Sequence, residues 1–159
     1  MKPLVPVDGS SASINAVKKS IEIAKKYGFS IKLISVVDTD NLSNYSRNEK
    51  LWRHVDGSLL IENNEIDELN EKIKEKSIKL LDTIFIKLDL LGIRVEKEVL
   101  LGEAYVNILE TAKNENFDLL VMGNSGFSKI KRFFTGSVAQ KVISEAPCPV
   151  LVIHTDADF

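Results

Sequence analysis

The residues best suited to chemistry form one stretch, Val121-Met122-Gly123-Asn124-Ser125-Gly126-Phe127-Ser128-Lys129-Ile130-Lys131-Arg132-Phe133-Phe134-Thr135-Gly136-Ser137-Val138. An apolar run, Leu119 to Met122, enters it, and an apolar-striped helix begins at Gly136-Ser137. A loop between a buried strand and a helix start suits a phosphate group. The first amides of a helix lack intrahelical partners, and the helix dipole favours an anion there. Gly123, Gly126 and Gly136 present no Cβ, so a phosphate oxygen can approach the main chain closely. Ser137 adds a hydroxyl, and Lys129, Lys131 and Arg132 raise the local potential. The plainer alternative is that these glycines only make turns. A strand before them, a helix after them and the adjoining serine favour the phosphate.

The spacing differs from two well-known phosphate loops. A P-loop requires Gly-Lys-Ser/Thr at the helix start, whereas Gly136 is followed directly by Ser137. Gly9 stands alone after the first apolar run, so the Gly-x-Gly-x-x-Gly dinucleotide pattern is missing as well. Asp8 either meets a ligand or caps the helix after it, and the two roles are compatible. Cys148, between Pro147 and Pro149, reads as structural. His54 and His154 have no neighbouring pattern of metal ligands. Trp52 reads as a local packing anchor, with a lid over the site as the alternative.

These residues need elements to hold them. Leu4 to Val7 reads as a buried strand, followed by a turn and an N-cap in Asp8-Gly9-Ser10-Ser11. Ile14, Val17, Ile21 and Ala24 mark a helix closed by Gly28. Ile31 to Val37 is the second strand. A polar stretch of connection, 38–64, separates it from a long helix whose stripe runs from Ile66 through Leu69, Ile73, Leu80, Leu81, Ile84 and Leu88 to Leu91, with Gly92 as its stop. Ile93 to Leu101 is the third strand. A helix marked by Tyr105, Ile108, Leu109 and Ala112 follows, then the strand Leu119–Met122, the helix from Ser137 and a last strand, Val150 to Ile153. Strands and helices alternate throughout, which predicts an α/β domain, a parallel sheet with helices on both faces.

The composition fits one such domain. The chain has 159 residues, a formal net charge of −2 and 44% apolar residues. A chain of this size buries roughly 70% of its unfolded surface and needs no metal or disulfide staple. The balanced charge gives no general attraction to nucleic acid. No segment reaches the ~20 apolar residues of a membrane helix, the first residues do not read as a signal peptide, and a single cysteine fits a reducing compartment. The expectation is a cytoplasmic protein with no nucleic-acid or membrane partner.

The motif Gly123, two residues, Gly126, nine residues, Gly136-Ser137 resembles that of the universal stress protein family in its ATP-binding branch. Leu4-Val5-Pro6-Val7-Asp8-Gly9-Ser10, Asp118 to Gly123, Ser137 to Val142 and Ala146 to Ile153 are similar to other parts of that family. The likeness covers nearly the whole chain, leaving a variable insertion at about 39–63. It implies one domain over residues 1–159, with a five-stranded sheet in the order 3-2-1-4-5. The order reverses between strands 1 and 4, and ligands of open α/β sheets bind at such a reversal. The resemblance also implies site residues. Pro6, Val7 and Asp8 would line the nucleoside side, Val36 would pack on the base, and Met122 would lie below it. Gly123, Gly126, Gly136, Ser137 and Val138 would surround the phosphates. A Mg2+ or Mn2+ ion would be held through the phosphates.

The function implied is a stress-response module that binds ATP or another adenine nucleotide as a regulatory sensor. A slow ATPase and a partner-binding member without nucleotide are the rivals. Asp8 is the one carboxylate that the reading puts near the phosphates, so turnover is expected to be slow at most. The intact loop argues against a member without nucleotide. A receiver domain is rejected because the third strand ends Leu100-Leu101 and the fifth ends at His154, where an aspartate and a lysine would be required. A flavodoxin-like FMN carrier is disfavoured because Asp8-Gly9-Ser10-Ser11 is no Thr- and Gly-rich loop. The resemblance implies a homodimer paired through Val150 to Ile153, an apolar run at an expected sheet edge.

Overall fold

A short apolar segment, Pro3–Pro6, forms the first strand, β1, in the centre of the sheet. The chain is described here from a computed structural model, over residues 1–38, 63–124 and 137–154. Helix α1 spans Ser11–Tyr27. Ser10 caps its start, and Gly28, in the left-handed region at φ 70°, returns its amide to the Ala24 carbonyl at 2.8 Å. The remaining elements are β2 (Ile31–Val37), α2 (Asn63–Lys87), β3 (Val95–Leu101), α3 (Ala104–Asn114), β4 (Leu119–Gly123), α4 (Ser137–Glu145) and β5 (Val150–Ile153).

The five strands are all parallel and lie in the order β3-β2-β1-β4-β5, as the resemblance implies. Alternation along the strands divides the core in two. Val5, Val7, Leu33 and Val121 pack with α1 and α2 residues such as Val17, Ile21, Leu81 and Ile84. Leu4, Ile34, Leu120 and Met122 pack with Ile108 and Ala112 of α3 and Ala139 and Val142 of α4. Strands covered on both faces favour apolar residues throughout, hence the continuous runs in β1 and β4.

Several boundaries differ from the sequence reading, beginning with β1, which runs Pro3–Pro6 rather than Leu4 to Val7. The long helix stops at Lys87 rather than near Leu91. Asp89 Oδ1 accepts the Leu91 amide at 3.1 Å, and the Ile93 amide bonds the Leu90 carbonyl at 3.0 Å, so side-chain and turn bonds replace another helical turn. Leu91 is consequently 84% exposed and leaves the core stripe, and Leu69 is exposed too. The same turn delays β3 to Val95. The fourth strand gains Gly123. The side chain of Ile66 and the insertion at about 39–63, apart from the first helical residue, lie outside the described residues, as do Trp52 and His54.

At the amino ends of the strands, Lys32 is buried in the central sheet. Its Nζ meets Glu115 at 2.6 Å and Glu98 at 2.7 Å, and Lys2 joins Glu96 at 3.0 Å nearby. Burial pulls the Lys32 ammonium down, but its bonds to Glu115 and Glu98 outweigh that and hold its pKa above the ordinary lysine value.

Candidate functional site

The site starts from uneven strand pairing. β1 pairs with β2 as far as Pro6 opposite Ile34, while β2 and β3 stay paired to Val37 opposite Leu101. On the other side, β1 pairs with β4 only at Pro3–Leu119 and Leu4–Leu120, while β4 and β5 stay paired to Gly123 opposite Ile153. The carboxyl ends of β2 and β4 therefore outrun the pairing of the central strand between them. The opening lies where the strand order reverses, the usual position for a ligand crevice in such sheets.

A cleft of about 210 Å³ occupies this opening. Pro6, Val7 and Asp8 enter it from the end of β1, and Val36 from β2. Met122 and Gly123 enter from β4, and Ser137 and Val138 from the start of α4. Four segments distant in sequence thus converge on one hollow. Gly126 and Gly136 lie outside the described residues.

The structure adds wall residues that the sequence reading left out. Ala104 and Ile108 of α3 line the cleft, with Ile34, Ser10, Ser13 and Ala139. A signal for α3 was present, since Gly102 follows β3 and a helix starts two residues later. The turn there is fixed by main chain and amide together. The Gly102 amide donates to the Val37 carbonyl at 2.9 Å, and Asn107 Nδ2 donates to the carbonyls of Leu101 and Glu103 at 3.2 and 3.0 Å. This ties the wall formed by α3 to the end of β2, beside Val36.

Asp8 is exposed at the cleft rim. Its Oδ1 accepts the Ser10 amide at 2.9 Å and the Ser10 hydroxyl at 2.5 Å. Ser10 Oγ in turn accepts the Ser13 amide at 3.3 Å. The capping residue is therefore Ser10, and Asp8 orients it instead of capping α1 itself. Among the described residues, no hydrogen bond reaches Asp8 Oδ2.

Gly123 has a packing reason for its bare Cα in addition to the one expected from the sequence. A Cβ there would lie 2.6 Å from Ala12 Cβ and 2.7 Å from the Ala12 carbonyl carbon. The first turn of α1 occupies the space, so this glycine allows β4 to pass against the helix. Among the described residues no group of three or more His, Cys, Asp or Glu side chains is placed to hold a metal ion. No described helix is long and apolar enough to cross a membrane.

Comparison with known proteins agrees with this architecture. The sequence profile of the Universal stress protein family matches residues 1–154. Universal stress protein MJ0531 of Methanocaldococcus jannaschii is 32% identical over 152 residues, covering 96% of this chain and 81% of the relative. Among solved structures, hypothetical protein MJ0577 superposes with a TM-score of 0.76 at 24% identity, covering 96% of this chain and 94% of that one. The Arabidopsis thaliana family protein At3g01520, solved with AMP bound, gives a TM-score of 0.61 at 20% identity, covering 99% and 94%. With the profile spanning all but the last residues and the sheet order matching, this chain belongs to the universal stress protein family.

Proposed function

We propose that this chain binds an adenine nucleotide, ATP in the first instance, in the cleft at the carboxyl ends of β1 and β4, and that it acts as a cytoplasmic nucleotide sensor in a stress response. The observation that carries this reading is the convergence of Pro6, Val7, Asp8, Val36, Met122, Gly123, Ser137 and Val138 on one hollow. The chemistry of the walls fits such a ligand. Val36, Ile34, Ile108 and Met122 offer an apolar slot for a base, and Asp8 Oδ2 is an available acceptor for ribose hydroxyls. The start of α4, with the Ser137 hydroxyl, offers amides and a positive dipole end to phosphates. Gly126 and Gly136, between Gly123 and Ser137 in the sequence, complete the motif. The AMP-bound Arabidopsis protein supports an adenine nucleotide as the ligand class. A Mg2+ or Mn2+ ion would be carried by the phosphates and water.

Mass spectrometry of ligand released from the purified protein tests the reading, together with calorimetric titration with ATP and magnesium. Bound adenine nucleotide and saturable binding are the expected results; a ligand-free protein with no heat of binding would refute it. A Gly126→Val variant should lose at least about tenfold in affinity, since a side chain at that motif position would compete with phosphate oxygens for the main chain. Its far-ultraviolet circular dichroism should match that of the wild type.

A further inference from the structure

The crevice depends on where the β1–β4 ladder stops, and the residue that stops it is a proline. The Val7 amide donates to the Ile34 carbonyl at 2.8 Å, which fixes the direction of every amide in β1. Odd-numbered amides face β2, so even-numbered ones face β4. On the other side, the Leu120 amide donates to the Pro149 carbonyl at 2.9 Å and the Asn124 amide to the Ile153 carbonyl at 2.9 Å. Even-numbered groups of β4 thus face β5, and the Val121 carbonyl faces β1.

With Leu4 opposite Leu120, the next rung would join the amide of residue 6 to the Val121 carbonyl. Residue 6 is Pro6, which has no amide hydrogen. The β1–β4 pairing ends at Leu4–Leu120, one rung before the position that proline cannot fill. Proline is rare inside central strands for this reason. Here it stands in the central strand and lines the cleft.

We infer that Pro6 is a positioning residue: it withholds the rung to Val121, keeps the carboxyl ends of β1 and β4 from zipping together, and so holds the crevice open for its ligand. This rests on the nucleotide reading for the identity of the ligand, but the ladder stop is independent of it. Val121 is fully buried, so its carbonyl is left without that partner in the sheet interior. An unmade main-chain bond in such a place is costly and is retained where an opening is required.

The test has two readouts on isotopically labelled protein. In ligand-free Pro6→Ala, the restored amide should show a through-hydrogen-bond scalar coupling to the Val121 carbonyl. It should also exchange with solvent roughly a hundredfold more slowly than an open amide. Calorimetry of the same variant should show roughly tenfold weaker binding of ATP with magnesium, from the narrowed crevice. A merely structural proline would give neither the new coupling nor its link to affinity. A rapidly exchanging, uncoupled amide at the substituted position would overturn the inference, and so would a formed rung with undiminished affinity. Failure of the wild type to bind ATP would refute the nucleotide reading and leave the coupling to decide the ladder stop. Should the variant not fold, the wild type still decides: no protein amide should couple to the Val121 carbonyl, and any such coupling would overturn the proposal.

Discussion

At Gly123 one methyl group separates a packed sheet from a collision. The contact is with main chain as well as side chain, since the Ala12 carbonyl carbon and the Ser13 amide lie 2.7 and 2.9 Å from where a Cβ would sit. Neither can rotate away. Gly123→Ala should therefore destabilise the fold by about 1–3 kcal/mol, the usual range for overpacking. Urea denaturation checks it, and adding Ala12→Gly should recover only part of the loss because the helix backbone stays in place. Cys148 illustrates a side chain with the opposite fate. Burial first, then the nearby Asp118 charge, push its thiol pKa up, so little thiolate is present at neutral pH. It should react with iodoacetamide at pH 7 several times more slowly than the same cysteine in urea-unfolded chain, with mass spectrometry as the measure.

At the scale of elements, the charged cluster joining β2, β3 and the end of α3 makes stability depend on pH. The folded pKa of Lys32 lies above its ordinary value of 10.5. Its contribution is therefore complete below that pH and is lost as pH rises through the folded value. The Lys2 hydrogen bond holds the Glu96 carboxyl below its ordinary value of 4.5, so its contribution is present above that pH and fades as pH falls through the folded value. Urea midpoints should form a plateau at roughly pH 6 to 9 and fall on both sides. Lys32→Met should flatten the alkaline fall and lower the plateau by about 1 kcal/mol, a modest figure because Glu98 and Glu115 are partly in water. The element boundaries also show what a sequence can reveal. Apolar runs in β1 and β4 declare buried parallel strands, because no polar residue interrupts them. The end of α2 stays hidden, because Leu88 and Leu91 continue the apolar spacing while the Asp89 carboxylate turns the chain. The cleft is legible where Gly123 ends a strand, Ser137 begins a helix and Asp8 lies in the turn between β1 and α1. Ala104 and Ile108 are not, because their place in the wall depends on how α3 tilts over the sheet, and their residue types are those of any helix core.

For the whole molecule, the two sheet edges differ in a way that bears on assembly. β3 carries Glu96, Lys97 and Glu98, exposed charges of the kind that discourage strand addition. β5 is Val150-Leu151-Val152-Ile153, each half-buried, with no charge along it. An apolar edge of that kind is normally covered, and a second copy of the chain paired through β5 is the proposed cover. The ladder fixes which groups are available. Pro149 and Ile153 direct their carbonyls at β4, so the amides of Val150 and Val152 face away from the sheet. Val152→Pro would remove an outward amide without costing any bond to β4, an arrangement that edge strands tolerate. Light scattering at micromolar concentration should then give a dimer for the wild type and a monomer for the variant, with the circular dichroism of the two alike. A wild-type monomer would discard the assembly, and a variant that stayed dimeric would move the interface off the main chain of β5.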